Sequence, residues 1–388
     1  MDQVPPPPVP TQLIVFADDW GRHPSSSQHL IRELLPHYPT LWVNTVGTRR
    51  PKLRLADLSR GAKVVTSWLG RSDRRDGEVE HANLQVVSPP MYPGYRSQWQ
   101  QQLNDRSITH SVKKSLLPDH RHVVITTLPT TAELPDSLKA DRWVYYCVDD
   151  YSQWPGTDHA VMDAMERELV RRVDAVACVS QTLQQRVASI CQPCSTMLTH
   201  GVDLQMWHNP LTTTQLAPAW PEIDKPVALF WGLLDERLDR EWAVALSRCE
   251  SLHAVFAGPL KIDQGQLFNA DSIYLGPLAF KDLPAHAAAS SVLVMPYIDA
   301  PVTQAMQPLK LLEYLATHKP VVVRDLPSTR PWADCCDRAL SAGGFIELVK
   351  ARSQTGILPE QLKARQRRLQ TESWTAKAAQ LAEIINAD

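Results

Sequence analysis

The sequence predicts an α/β protein built from two Rossmann-like domains facing a cleft. Two observations carry this. Short, almost continuously apolar runs alternate with helical patterns along most of the 388 residues. Strands buried on both faces read this way, which means parallel sheets covered by helices. The alternation then pauses between Leu204 and Pro226, in LQMWHNPLTTTQLAPAWPEIDKP, a stretch rich in proline and threonine without periodicity.

The elements follow in order. MDQVPPPPVP is acidic and proline-rich, with neither a positive n-region nor an apolar h-region. Residues 1–12 are therefore expected to be disordered or extended, not a signal peptide. The first domain, 13–205, has strand candidates LIVFA (13–17), LWVNTV (41–46), LQVVSP (84–89), VVITTL (123–128), WVYYCVDD (143–150) and AVACVS (175–180), with a strand-like MLTHGV before the break. Residues 206–226 read as the linker. The second domain, 227–365, has VALFWG (227–232), AVFAG (254–258), SIYLG (272–276), VLVMPY (292–297) and PVVV (320–323). Residues 366–388 read as a C-terminal helix expected to pack back on the first domain.

Composition narrows the function. Net charge is −2 and 44% of residues are hydrophobic, as in a soluble globular protein. No run of about 18 apolar residues suggests a transmembrane helix. Seven cysteines, an odd number, suit a reducing compartment. CQPC (191–194) lacks the second pair a zinc site needs, so metal is not expected. A basic run, 49–75, carries nine Lys or Arg residues against Asp57, Asp73 and the adjoining Asp76, with Trp68 and Leu69 inside it. It is either a solvated loop or a contact with anionic membrane. A nucleic-acid role has no accompanying motif.

Ligands in open parallel sheets bind beyond the carboxyl ends of the strands, so the loops there hold the candidates. QPLKLLEYLATHKPVVV (307–323) is the most informative. Pro308 suits a helix start. Glu313 falls on one face with Leu309 and Ala316, where an unpaired carboxylate is costly. It either pairs with Lys310 or accepts from the vicinal hydroxyls of a ribose, while the helix N-terminus suits a diphosphate. At the end of VALFWG, Gly232 permits close backbone approach. Arg237 follows it and either meets phosphate or pairs with Asp235 or Asp239. The segment is not GxGxxG, which argues against an NAD site. In the first domain, ADDWGRHPSSS brings Asp19, Arg22 and His23 into the loop after the first strand. Asp149 and Asp150 close the fifth strand and are either a general base or turn chemistry. His200 and Asp203 in THGVD read as mainly structural, with the glycine serving a tight turn.

These pieces resemble GT-B glycosyltransferases of the broad kind grouped around family 4. PLKLLEYLATHKPVVV is similar to the donor-site pattern P-x-K-x-x-E-Y-L-A-x-G-K-P-V-V. LTHGVDLQMW, FWGLLDERLDREW, YLGPLAFKDLPAHAAASSVLVMPY, VYYCVDDYSQW and ELVRRVDAVACVSQTL resemble further family segments in the expected order, from Leu13 to Val323. The resemblance implies a GT-B architecture and a hexosyltransferase-like, metal-independent reaction without cofactor. The donor is a nucleotide-diphosphate sugar, and the acceptor a glycan or lipid-linked glycan of polysaccharide or cell-envelope biosynthesis. It implies a cytoplasmic protein, peripheral at the inner face of the membrane if 49–75 docks there. It puts Glu313 on the ribose, Lys310, Thr303 and Gln307 near the donor, Gly232 and Arg237 at the diphosphate, and the loop of Asp19, Arg22 and His23 at the cleft. Two departures stand out. Many relatives carry a second glutamate where this chain has Ala305, and His318 replaces a glycine before Lys319. Retaining and inverting courses both remain open. So do two rivals of the same architecture, a nucleotide-sugar epimerase and a non-catalytic nucleotide-sugar-binding protein.

Overall fold

The computed structural model describes residues 4–21, 25–45, 81–92, 94–95, 97–154, 157–191, 195–209, 216–220, 222, 224–261 and 272–387. The chain divides into two compact units, Met1–Leu198 with Ala378–Asp388, and Thr199–Lys377.

The first unit holds strands β1 (Thr11–Ala17), β2 (Thr40–Asn44), β3 (Leu84–Val87), β4 (Arg121–Thr126), β5 (Arg142–Cys147), β6 (Ala175–Cys178) and β7 (Ser195–Met197). They form one sheet in the order β3-β2-β1-β4-β5-β6-β7, with every pairing parallel. β1 is buried from end to end, as the unbroken apolar run predicts. Order reverses between β1 and β4, so the switch point lies where the loops after those strands emerge. The chain's last residues belong to this unit. Arg121 Nη1 donates to the Ile385 carbonyl at 3.0 Å, and Asn386 Nδ2 to the Tyr38 hydroxyl at 2.9 Å.

The second unit holds β8 (Val227–Trp231), β9 (His253–Ala257), β10 (Ile273–Tyr274), β11 (Val292–Met295), β12 (Val321–Arg324) and β13 (Asp337–Ala339). Their order is β10-β9-β8-β11-β12-β13, again all parallel. The switch point here falls between β8 and β11. Its core joins Leu229, Phe230, Val255, Leu293 and Val322 to Leu311, Leu312 and Leu315 of the helix Leu309–Ala316. Among the described residues, the apolar-run reading passes over β13, sequence DRA, and meets β7 only at Met197, the start of the strand-like MLTHGV. β13 closes the sheet order at one end. It is a three-residue edge strand, and its charged residues pair outward, Asp337 with Arg352 at 2.7 Å. Arg365 ties this region together. It is 2% exposed and donates to the carbonyls of Cys335, Thr317 and Lys319 at 2.8, 3.2 and 2.8 Å. Two of those carbonyls follow the C-terminus of the helix Leu309–Ala316, where orphan acceptors gather.

Candidate functional site

The second unit's switch point is built by β8, β11 and the helix Leu309–Ala316. Pro308 stands just outside that helix as its N-cap, one residue earlier than a first-turn proline. Leu311 N–H already bonds the Pro308 carbonyl at 3.0 Å. The N–H groups of Leu309 and Lys310 precede the intrahelical ladder. The loop before the helix contains a short helix of its own, Pro301–Ala305.

Lys310 and Glu313 lie one turn apart on this helix, and each is braced by an uncharged group. The Lys310 ammonium donates to the Tyr297 hydroxyl. It also stands 5.0 Å from the Phe230 ring centre and 5.1 Å from that of Tyr297, in cation–π range. Its other donors have no protein partner among the described residues. Glu313 Oε2 accepts the Trp231 indole N–H at 3.1 Å. Burial raises the Glu313 carboxyl above the usual carboxylate range, against the lowering pull of that indole and of the Lys310 charge. The ion pair between Glu313 and Lys310 is thus not the arrangement found.

Two glycines make room for it. Gly232 ends β8 with φ +136°, and a Cβ there would lie 2.1 Å from Lys310 Nζ. Gly258 ends β9 with φ +133°, and a Cβ there would lie 1.9 Å from the Gly232 carbonyl oxygen. The Trp231 ring stacks on Trp207 at 5.3 Å, and Trp207 meets Phe280 edge-on at 6.1 Å. Tyr314 presents its ring edge to Trp231 at 4.2 Å and accepts the Trp231 backbone N–H at 3.1 Å. An aromatic wall therefore adjoins the carboxylate.

The remaining donor-side candidates sit in braces around this centre. Arg237 grips the Asp235 carboxylate with Nε to Oδ1 and Nη2 to Oδ2, each 2.9 Å, and Nε also to Oδ2 at 3.1 Å. Its carbonyl accepts the Ile298 N–H at 2.8 Å, joining the turns after β8 and β11. Thr303 is fully buried, with Oγ1 2.6 Å from the Ile298 carbonyl and 3.1 Å from the Ala300 N–H that it accepts. Gln307 Oε1 accepts the His200 N–H at 2.7 Å, fixing the THGVD segment. Asp203 caps the helix Leu204–His208 by accepting the Met206 N–H at 2.9 Å. Gly201 serves packing, not a turn: a Cβ there would meet the Trp374 ring at 2.7 Å.

In the first unit the loop after β1 is organised by Gln28, which the sequence reading did not single out. Gln28 Nε2 donates to Asp18 Oδ2 at 3.1 Å and to the Asp19 carbonyl at 3.2 Å. Its Oε1 accepts the Gly21 N–H at 3.1 Å. Asp19 is half-buried. Arg22, His23, Cys194 and the basic run 49–75 lie outside the described residues. After β5, Asp150 Oδ1 caps the turn Tyr151–Gln153, accepting the Ser152 N–H at 3.0 Å. Its Oδ2 is 3.6 Å from Arg186 Nη1. Arg186 also holds Asp163 at 2.7 Å and the buried Glu166 at 2.8 Å, while Tyr145 donates to Glu166 at 2.8 Å. Asp149 is half-buried beside this network.

Gly232, Lys310 and Glu313 converge. Arg237, Thr303 and Gln307 surround them without joining them. Trp231, Tyr297, Phe230, Trp207 and Gly258 complete the centre. Of these only the position of Trp231, directly before Gly232 at a strand end, offered a signal.

No family model matches the chain. A stretch of 57 residues, 15% of this chain and 14% of the relative's length, is 46% identical to TuaH of Bacillus subtilis (strain 168), whose name is that of a teichuronic acid biosynthesis glycosyltransferase. Solved structures match over nearly the whole chain. Sucrose-phosphate synthase from Thermosynechococcus elongatus has a TM-score of 0.68 at 13% identity, covering 96% of this chain and 98% of that one. Anabaena HepE in complex with UDP and glucose has 0.69 at 12%, covering 97% and 100%. The E. coli trehalose-6-phosphate structure bound with UDP-2-fluoro glucose has 0.68 at 9%, covering 97% and 99%. With its two parallel sheets and these structural neighbours, the chain has the GT-B fold.

Proposed function

We propose that the chain is a glycosyltransferase that moves a sugar from a nucleotide-diphosphate sugar to a glycan or lipid-linked glycan, without a metal ion. The observation that carries this is the Glu313 carboxylate, braced by one indole N–H beside a Lys310 ammonium at the switch point of the second unit. Two ribose hydroxyls can donate to Glu313. The diphosphate can take Lys310 and the free N–H groups of the helix start. Positive charge there stabilises the leaving diphosphate as the bond to the sugar's anomeric carbon breaks. In an inverting course Asp149 takes the acceptor hydroxyl's proton as the new bond forms. A retaining course needs no such base. Asp150, which also caps the turn after β5, is the other candidate for that role.

The test is a thermal-shift panel of UDP, GDP, ADP and dTDP, with Glu313→Ala as control. UDP comes first because two of the structural neighbours hold UDP or a UDP-sugar. A nucleotide at a hundred times its Kd stabilises by about 2.7 kcal/mol. No shift at millimolar concentration of any nucleotide would sink the donor site, and unchanged binding by Glu313→Ala would sink the ribose role. Asp149→Asn and Asp150→Asn, assayed for transfer, decide the base: full activity in both removes it. Product from donor alone would favour the epimerase, and binding without turnover or donor hydrolysis the binding protein.

A further inference from the structure

The helix Gln98–Lys113 in the first unit carries a side-chain pattern that the sugar-transfer reading does not use. Its inward face is Asn104, Ile108 and Val112, all buried. Asn104 fixes the preceding segment, donating to the Tyr92 carbonyl at 3.1 Å and accepting its N–H at 2.7 Å. The outward face is Trp99, Leu103, Arg106, His110 and Lys113, all exposed. Spacings of four, three, four and three place these five in one stripe along a helix, opposite the buried face. Trp99 is 56% exposed and Leu103 50%, among the few large apolar side chains left open to solvent. Tyr92, 42% exposed, meets Trp99 edge-on at 5.1 Å, so the apolar end is a preformed aromatic patch. The other end of the stripe is cationic, with Lys114 directly beyond it.

We propose that this stripe docks the first unit on an anionic bilayer surface. Trp and Tyr favour the membrane–water interface, where an amphipathic ring has one wet and one apolar side. Arg and Lys beside them keep their heads among anionic headgroups while their stems lie on apolar surface. Arg106, His110 and Lys113 also edge a shallow open groove with Glu133 and Ser137, but Trp99, Leu103 and Tyr92 stand outside it, and an aromatic end that projects from the surface suits a planar partner better than a peptide. The charge complementarity selects an anionic surface over a neutral one. This inference stands on the helix alone and does not depend on the donor site.

The test is flotation of the purified full chain with phosphatidylcholine vesicles, with and without phosphatidylglycerol. The chain is expected to float with the anionic vesicles only, less so as salt is raised. Each of Arg106, Lys113 and Lys114 contributes about fivefold in partition, so Arg106→Gln/Lys113→Gln/Lys114→Gln lowers it by about two orders of magnitude. Trp99→Ser/Leu103→Ser lowers it by about tenfold or more. Both variants change exposed side chains, so melting curves should overlay the parent and show that folding is intact. Absence of flotation, or flotation unchanged in both variants, overturns the proposal. So does loss of flotation only when the basic run 49–75 is neutralised. A dimer in sedimentation velocity that Trp99→Ser dissolves, with flotation unaffected, would assign the face to a second copy and overturn it as well.

Discussion

Gly232→Ala tests the geometry of the centre most directly. Two costs arise together. An L side chain at φ +136° is strained, at roughly 1–3 kcal/mol. The new methyl would also lie 2.1 Å from Lys310 Nζ, where ordinary contact begins near 3.4 Å. The ammonium must therefore retreat by more than an ångström, which breaks its bond to Tyr297 and its seat over the Phe230 ring. Those contacts are worth about 1–2 kcal/mol together. In a Lys310→Ala background only the backbone strain remains. Urea unfolding of the four proteins of this cycle should give a coupling of about 1 kcal/mol or more, above the scatter of independent sites. Additivity within about 0.5 kcal/mol would show that the amine does not occupy the space over Gly232. Gly258→Ala supplies the contrast. Its methyl meets a backbone carbonyl oxygen at 1.9 Å, which no rotamer can clear, so its cost should be larger and unrelieved by Lys310→Ala.

Three further outcomes follow from buried groups. Because burial raises the Glu313 carboxyl, the folded state favours its protonated form, and that contribution fades as pH rises through the raised value. Glu313→Gln should therefore be at least as stable as the parent at pH 8, with the difference shrinking in acid. Lower stability of Glu313→Gln at pH 8 would contradict this. Arg186→Met strands the buried Glu166 beside Asp150 and should cost about 3–5 kcal/mol in denaturant melts, with Glu166→Gln recovering part of it. Arg365→Met leaves three carbonyls without their donor and should cost about 2–4 kcal/mol, only partly restored by Arg365→Lys, whose ammonium lacks the reach of the fork. Losses below about 1 kcal/mol in either arginine variant would refute those networks.

Most of the fold was legible because its central strands are buried on both faces. A run such as VALFW has little alternative. DRA escaped because an edge strand with charged residues looks like any loop. The centre was legible at Glu313 for the opposite reason: a carboxylate among leucines has to be explained. Arg237 and Thr303 show the limit. A charge or hydroxyl beyond a strand end reads the same whether it meets a ligand or braces a turn, and only the structure shows the bracing contacts, Arg237 with Asp235 and Thr303 with the Ile298 carbonyl. Tyr297 was hidden in the same way, and Trp231 showed only its place before Gly232. An aromatic residue at a strand end is ordinary core until its polar tip is seen to meet a charge.

That pairing of charges with aromatic tips bears on what the centre can do. Had Lys310 and Glu313 bonded each other, each would have met its main electrostatic need within the protein, and a ligand would have had to break the pair. Instead the Tyr297 hydroxyl holds the ammonium and the Trp231 indole holds the carboxylate. Neither brace neutralises the charge that it orients. The helix therefore presents a cation and a hydrogen-bond acceptor one turn apart, each with capacity left over. A nucleoside diphosphate carries the complementary groups, an anionic diphosphate and a pair of ribose hydroxyl donors, on one molecule. The two glycines matter for the same reason, since a side chain at 232 or 258 would displace the ammonium or the backbone beneath it. If Lys310→Met lowered nucleotide affinity while Glu313→Gln left it untouched, the centre would be an anion site alone, and the nucleoside half of the reading would fall.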